Sequence, residues 1–412
     1  MSDKSEKKTP LAADPAAVTE ETSGARAESA VGTDGNGNVQ VESAAAAVIG
    51  DEYASLGQWA LMWKKFRKHK LAMVGGVVTA IFYLIALFAE IIAPFPTATY
   101  NREYPYAPPQ RIRLILRTDE GTSFAPHVLG LDSVVDPRSF QRTYTPNPDK
   151  VIRVRFFSHG QPYRMFGFIP GSLRLFAPAE SGQPMYLLGA DRLGRDLFSR
   201  IIYGTRVSMT IGLVGVFLSL FLGVLLGGIS GFFGGAVDNI IQRIIEFLQS
   251  IPSIPLWMGL AAAIPQTVPP LQVYFLITVI LSILGWTGLA RVVRGKFFSL
   301  KTEDFVVAAE LDGCGNLRTI MRHMVPSFMS HIIAVTTLAI PTMIIAETSL
   351  SFLGLGLRPP VVSWGVLLQQ AQNIRAVSMA PWLLLPGIFV IIAVLGFNFL
   401  GDGLRDAADP YA

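Results

Sequence analysis

The chain has 412 residues, of which 51% are hydrophobic and only 16% are charged, and its formal net charge at pH 7 is +4. So few charges in so apolar a sequence exclude an ordinary soluble domain and favour a polytopic membrane protein. The single cysteine, Cys314, excludes an internal disulfide and a multi-cysteine metal site, and the five scattered histidines predict no metal centre.

The N-terminal region predicts a disordered tail followed by a helix at the membrane surface. Residues 1–50 are rich in Ala, Glu, Ser, Gly and Thr and show no apolar periodicity. Residues 55–70 follow, with cations crowded toward the membrane end and an apolar helical face made of Trp59, Met62, Trp63 and Phe66. This pattern predicts an interfacial amphipathic helix, and cations beside a first span place the N-terminus in the cytoplasm.

Long runs without a formal charge predict six membrane spans, since each run can cross a hydrocarbon core of about 30 Å as a helix. The predicted spans are 71–93, 207–231, 244–264, 271–290, 326–348 and 382–402. The third and fourth come from one run divided by "IPQTVPP", whose prolines suit a tight external turn. An even number of spans places residues 406–412 in the cytoplasm with the N-terminus.

Residues 94–205 lie outside the membrane in this arrangement, and the segments "RIRLILR" and "VIRVRFF" alternate polar and apolar residues. We therefore expect an all-α polytopic membrane protein with six transmembrane helices and a small β-rich extracytoplasmic insertion. In the second span, glycines recur at every fourth position, which predicts a smooth face for close approach of another helix: Gly223, Gly227, Gly231 and Gly235.

The stretch "VVAAELDGCGNLRTIMRHMVP" separates the fourth and fifth spans and predicts two short helices on the cytoplasmic side, within residues 302–325. Gly313, Gly315 and Asn316 tolerate positive φ and predict the reversal between the helices, and Pro326 suits the first turn of the next span. Small residues at Ala308 and Ala309 would let another surface come close. A simple connector is the alternative.

Two polar residues within the spans are candidates for a translocation path, Glu347 and Asn398. A solvated helix end for Glu347 and an interhelical hydrogen bond for Asn398 are the alternatives. The phosphate-binding pattern Gly-x4-Gly-Lys-Ser/Thr does not occur in the sequence, so we expect no ATP hydrolysis by this chain and no enzymatic activity.

The helix-pair stretch resembles the coupling motif of bacterial ABC-importer permeases, which reads Glu-Ala-Ala, three residues, Gly, nine residues, Ile-x-Leu-Pro. The positions that correspond are Val307, Ala308, Ala309, Gly313, His323, Val325 and Pro326. Valine replaces the leading glutamate, and histidine replaces the isoleucine, as is usual in the branch that serves oligopeptides and dipeptides.

Three further stretches resemble the second-permease branch of the oligopeptide, dipeptide and nickel importers: "ETSLSFLGLGLRPPVVSWG", "LGDGLRDAADP" and "LLGADRLGRDLFSRIIYGTRVSM". The last contributes the signature positions Gly189, Asp191, Gly194, Arg195, Asp196, Ser199, Arg200, Gly204 and Ser208. The resemblance covers most of residues 61–410, in order. The insertion is longer than in typical members.

The resemblance implies a type I ABC-importer permease domain over residues 206–405, in a multi-pass protein of the bacterial inner membrane. It further implies three kinds of protein partner: a sister permease, two ATP-binding ABC subunits and an extracytoplasmic substrate-binding protein. ATP would be bound by the partners, so the chain itself needs no cofactor. We also expect contact with membrane lipid and no nucleic-acid partner. Oligopeptides or dipeptides are the implied substrates, with oligosaccharides as the alternative. A membrane receptor or sensor is the alternative from a different class.

Overall fold

The computed structural model describes residues 32–33, 39–40, 58–118, 121–138, 142–180 and 182–408. The chain divides into two compact units, Met1–Leu61 and Met62–Ala412. In the first unit, strand β1 (Gly32–Thr33) pairs antiparallel with β2 (Val39–Gln40). The remainder of the tail predicted to be disordered, residues 1–50, lies outside the described residues.

The described residues contain five helices that are long and apolar enough to cross a membrane. In chain order they are α2 (Lys70–Leu87), α4 (Leu197–Phe233), α7 (Pro270–Leu300), α11 (Met329–Phe352) and α14 (Leu385–Ala408). The shorter helices before α4 are α1 (Gln58–Lys68) and α3 (Ala89–Ile92). After α11 come α12 (Trp364–Gln369) and α13 (Ile374–Met379). The expected helical membrane core is confirmed.

The third predicted span, 244–264, is two helices rather than one. Helix α5 (Gly235–Ser250) and helix α6 (Ser253–Ala262) meet at 86°. The break falls at Ile251 and Pro252, and Pro252 has no N–H with which to continue a helix. The described residues therefore give six spans only if this bent pair counts as one.

Helix α4 begins at Leu197, well before the predicted span start at Val207. Asp196 caps its N-terminus, because its carboxylate accepts hydrogen bonds from the Ser199 N–H at 2.7 Å and from the Ser199 hydroxyl at 2.6 Å. Arg206, which borders the charge-free run, and Arg200 before it lie inside the helix because each is paired with a buried carboxylate. Charge alone therefore placed this boundary too late.

The insertion is an antiparallel sheet of four strands in sequential order, which confirms the β-rich prediction. The strands are β3 (Arg113–Thr118), β4 (Gly121–Val135), β5 (Arg142–Met165) and β6 (Ile169–Pro178). Strand β5 pairs with β4 up to Arg153 and with β6 from Val154 onward. A small core of Val128, Ile152 and Val154 packs against Phe95 and Met185.

The glycine stripe of α4 faces α7, as expected, at three of its four positions. A Cβ atom at Gly227 would lie 2.5 Å from the Ala290 carbonyl oxygen, and one at Gly231 would lie 2.6 Å from the Phe297 Cβ. Gly223 likewise meets Leu289 of α7. The prediction is wrong for Gly235, which begins α5 with φ +55° and has no neighbour at its Cβ position.

Candidate functional site

The predicted coupling region forms a helix pair, a name used here for residues 304–327. Its first member is α8 (Asp304–Leu311). The second runs without interruption through α9 (Asn316–Arg318), a π-helical turn (Thr319–Met324) and α10 (Val325–Ser327). Phe328 then leaves the helical conformation, with φ −125°, before α11 begins.

The reversal between the two members depends on Gly313. Its φ is +76°, and its N–H donates to the Glu310 carbonyl at 3.0 Å while the Cys314 N–H donates to the Ala309 carbonyl at 3.0 Å. These two bonds form a Schellman motif, which satisfies the last carbonyls of α8. Gly315 has φ −65°, so the reversal does not use the positive φ that this glycine tolerates.

The inner face of the helix pair is buried against the ends of two membrane helices. Val306, Ile320 and Met324 are buried in one cluster with Phe232 of α4 and Phe297 of α7. The cluster also includes Phe328, whose ring lies edge-on to that of Phe297 with centroids 5.9 Å apart. This packing attaches the helix pair to the ends of α4 and α7.

The outer face of the helix pair carries exposed apolar side chains as well as exposed charged residues such as Glu310 and Arg318. Ala308 is exposed, Val307 is 43% exposed, and Leu311 and Leu317 are 83% and 63% exposed. Exposed apolar residues that cluster on one ordered surface are typical of a protein interface. The outer face is therefore the best candidate for contact with another protein.

The remaining residues of the coupling motif occupy different environments. Ala309 is buried against this chain, so of the two small residues expected to let another surface come close, only Ala308 is exposed. Val325 is buried, His323 is half-buried and Pro326 is exposed. Pro326 ends the helix pair rather than beginning the next span, because the break at Phe328 separates it from α11.

The signature residues at the start of α4 form a buried ionic cluster, here called the clasp. Asp191 is fully buried and forms ion pairs with Arg200 and, at 2.7 Å, with Arg195. It also accepts hydrogen bonds from the backbone N–H groups of Leu193 at 2.8 Å and of Arg195 at 3.0 Å. Burial disfavours the charged carboxylate, but the guanidinium groups of Arg200 and Arg195 outweigh it and hold the pKa of Asp191 below its ordinary value.

The small signature residues permit close contacts around the clasp. Gly189 and Gly194 have φ +83° and +70°, and a Cβ at Gly194 would lie 1.9 Å from the Asn101 carbonyl oxygen. A Cβ at Gly204 would lie 3.4 Å from the Trp364 ring, and the Ser208 hydroxyl accepts a hydrogen bond from the Trp364 N–H at 3.2 Å. These contacts give the signature positions a structural role in joining α4 to its neighbours.

Glu347, expected at a translocation path or a solvated helix end, is fully buried inside α11. Its carboxylate accepts hydrogen bonds from the hydroxyls of Ser351 at 2.8 Å, Ser363 at 2.7 Å and Ser208 at 3.3 Å. In this conformation it joins α4, α11 and the segment before α12 instead of facing solvent. Asn398 is half-buried in α14. A role for either residue in a path stays a prediction.

Two charged pairs that connect helices were not predicted. Arg294 of α7 makes a bidentate contact with Asp238 of α5, with Nε–Oδ1 and Nη2–Oδ2 both at 2.5 Å. Arg206 of α4 pairs with Glu90 of α3 in the same way, at 2.5 Å. The partners are far apart in sequence, so no sequence spacing indicated these pairs. The available signal was that Arg206 and Asp238 border a long charge-free run.

Comparison with known proteins assigns the family. Residues 223–411 match the model for the binding-protein-dependent transport system inner membrane component, and residues 57–109 match the N-terminal transmembrane domain of oligopeptide transport permease C. The oligopeptide transport system permease protein OppC of Bacillus subtilis is 31% identical over 357 residues, which cover 86% of this chain and 90% of the relative. The chain belongs to the OppC/DppC family of binding-protein-dependent transport permeases.

Other members of this family agree with the assignment. The dipeptide transport system permease protein DppC of Alkalihalophilus pseudofirmus is 30% identical over 87% of this chain and 92% of its own length. OppC of Escherichia coli K12 is 41% identical over 56% of this chain and 73% of its own length. Among solved structures, a chain of the inward-facing MetNI methionine ABC transporter covers 52% of this chain and 98% of its own, at 18% identity and a TM-score of 0.41, too low for a comparison of individual helices.

Family membership confirms the resemblance noted in the sequence and makes this chain a multi-pass membrane permease of the transport class. The four strands β3 to β6 lie between the two segments that match family models. The helix pair lies within the second matched segment.

Proposed function

We propose that this chain is one of two permease subunits in an ATP-driven, binding-protein-dependent importer of oligopeptides or dipeptides. The names of its relatives, oligopeptide and dipeptide transport system permease proteins, support the substrate class. One structural observation carries the mechanism: the helix pair exposes large apolar side chains such as Leu311 and Leu317 on its outer face, and its inner face packs against α4 and α7. Such an element transmits the movement of a bound partner to membrane helices.

In this mechanism ATP is bound and hydrolysed by two partner subunits, one of which holds the outer face of the helix pair on the cytoplasmic side. Closure of the ATPase subunits displaces the helix pair, and α4 and α7 move with it because their ends share its hydrophobic cluster. The permease then alternates between two openings, with nucleotide favouring one of them. Both chain termini lie in the cytoplasm, and the sister permease completes the path.

The extracytoplasmic substrate-binding protein would dock on the outer side, on the insertion and on residues 354–364. In this division of labour the binding protein determines which solute arrives, while the permease provides passage. ATP-dependent uptake by the complete complex in proteoliposomes, measured with labelled dipeptides, oligopeptides and oligosaccharides in parallel, tests the substrate class. Uptake of oligosaccharides alone would overturn the peptide assignment and leave the permease role intact.

Substitution of the outer face tests the coupling role. We expect Leu311→Arg and Leu317→Arg to abolish association with the ATPase subunits, because each places a charge in a surface that must be desolvated on docking. Membrane insertion should be unchanged, since both side chains are exposed. Ser299→Arg is the control, as it adds the same charge to an exposed site near the end of α7 but outside the helix pair. Full ATPase association in both leucine variants would refute the proposal.

A further inference from the structure

The turn between β5 and β6 carries an apolar, uncharged tip, defined here as residues 165–170. Phe168 is 72% exposed, and Phe166 and Ile169 are 46% and 47% exposed. The segment "MFGFIPGSL" contains no charged residue between Arg164 and Arg174. An exposed aromatic cluster of this kind in a sheet outside the membrane needs an apolar partner.

The tip lies beside the membrane helices rather than above them. The Phe176 ring, near the end of β6, lies 5.6 Å from that of Phe198 in the first turn of α4. At the other end of the hairpin, the Arg206 guanidinium lies 4.8 Å from the centre of the Phe166 ring. Arg206 follows Phe198 by eight residues, so the hairpin descends about 12 Å along α4 at about 1.5 Å per residue.

Contacts with the first membrane helix, α2, indicate the same depth for the tip. The Arg206 guanidinium donates hydrogen bonds to the carbonyls of Ala86 at 2.7 Å and Leu87 at 3.2 Å, in the last turn of α2. The tip that covers Arg206 therefore reaches the level at which α2 is still a membrane helix. Aromatic residues are enriched at this level, where the hydrocarbon core meets the headgroups.

The tip is also continuous with the surface that α2 exposes to lipid. Ile81, Leu84 and Leu87 form an exposed apolar stripe on α2. An open groove of about 630 Å³ is lined by Phe166 together with Leu87 and, from α4 and α7, Val214 and Phe275. The hairpin tip therefore extends a lipid-facing surface instead of forming a separate patch.

We propose that the hairpin tip inserts into the outer leaflet of the membrane, where Phe168 and Ile169 contact lipid acyl chains and anchor the β5–β6 hairpin. Arg164 is exposed at the base of the tip, where its guanidinium can remain with the lipid phosphates while its stem follows the apolar surface. Insertion removes the tip from water without requiring a protein partner. This inference is independent of the transported substrate and of the coupling role of the helix pair.

Spin-label accessibility in the complete complex, reconstituted in phosphatidylcholine liposomes, tests the proposal. Cys314→Ser removes the single cysteine and provides the background. Phe168→Cys then carries a nitroxide label at the tip. Val134→Cys is the control, because Val134 is also apolar and 60% exposed but lies in β4, where it pairs with Thr143 at the end of β5 that is remote from the tip.

We expect the ratio of oxygen accessibility to nickel-chelate accessibility to be several-fold higher at position 168 than at position 134, because oxygen concentrates in the bilayer. Equal ratios at the two positions would place the tip in water and overturn the proposal. Exclusion of both reagents from position 168 would also overturn it, since it would show that the sister permease or another protein covers the tip. Ile169→Cys gives the same measurement if Phe168→Cys does not assemble.

Discussion

Gly313 is the residue on which the reversal in the helix pair depends. Its φ of +76° is unfavourable for a residue with a Cβ, although the space around it is open. We expect Gly313→Ala to destabilise the turn by about 1 to 2 kcal/mol. Amide hydrogen exchange in residues 309–314 should accelerate accordingly. Gly315→Ala is the matched control, because Gly315 has φ −65° and open space, and its exchange pattern should match that of the unchanged protein.

The clasp depends on the charge of Asp191. Asp191→Asn leaves the Arg200 guanidinium, whose side chain is 2% exposed, without a buried counter-charge. Breaking such a pair costs roughly 3–5 kcal/mol, so the melting temperature of the purified permease should fall. The control is Asp132→Asn, because Asp132 and Lys150 form an exposed pair and screening by solvent makes its loss minor. A melting temperature that falls equally in both variants would contradict this role.

The same carboxylate predicts an acid-dependent loss of stability. Because Asp191 has a lowered pKa in the folded protein, its contribution is present above the unfolded value of about 3.9. It is lost as the pH falls through the lower folded value. The stability difference between the unchanged protein and Asp191→Asn should therefore shrink at strongly acid pH and be constant near neutral pH.

At the residue scale, the sequence predicts backbone conformation better than it predicts which side chains contact each other. The glycine at 313 was found because a chain reversal between two helices requires positive φ. The burial of Ala309 was not predicted, because a small side chain suits a docking surface and a buried contact equally well. The Asp238–Arg294 pair was missed because its members lie 56 residues apart, and only folding brings them together.

At the element scale, the contact between α4 and α7 depends on small residues. We expect Gly227→Ala to weaken this contact, since the added Cβ would lie 2.5 Å from the Ala290 carbonyl oxygen and 2.8 Å from its Cα, both backbone atoms that cannot rotate away. Thermal unfolding in detergent should show a lowered melting temperature. Gly288→Ala on α7 is the control: its Cβ position is free, and alanine favours helix, so stability should hold or rise. A lowered melting temperature in both would contradict the packing argument.

The positions of the membrane helices follow from hydropathy, but their ends and bends do not. Helix α4 extends beyond its charge-free run because buried pairs such as Arg206–Glu90 allow ionised residues inside it. The 86° break between α5 and α6 was not predicted as a change of direction, because a proline within an apolar run indicates where a helix can break and not by how much. Tertiary contacts determine the angle.

At the scale of the whole molecule, Arg174 joins the insertion to the membrane domain. It is fully buried and donates hydrogen bonds to the carbonyls of Glu90 at 2.9 Å and Ala93 at 2.6 Å, just beyond the first membrane helix. We expect Arg174→Ala to loosen the sheet and to accelerate limited proteolysis within residues 142–178, while the membrane helices stay protected. Arg155→Ala, an exposed change on the same strand pair, should leave the cleavage rate unchanged.

At this scale the sequence predicted three parts that the structure contains: a helical membrane core, a β-rich insertion and a pair of short helices between two long ones. The attachment of the insertion was not predictable, because in the sequence Arg174 is indistinguishable from the other basic residues of the alternating strands. Its burial arises only when β6 packs beside α3 and α4. Any truncation of the insertion that removes Arg174 therefore also alters the outer end of the first span.

Helix α4 connects the two sides of the molecule without a break. Its 37 residues span about 55 Å at about 1.5 Å per residue, well beyond a hydrocarbon core of about 30 Å. The clasp holds its outer end, and the cluster beneath the helix pair holds its inner end. Because a continuous helix resists both stretching and bending, a tilt imposed on one side of the membrane reappears on the other with the opposite direction of travel. In the proposed importer, a movement of the helix pair would therefore reach the clasp through α4.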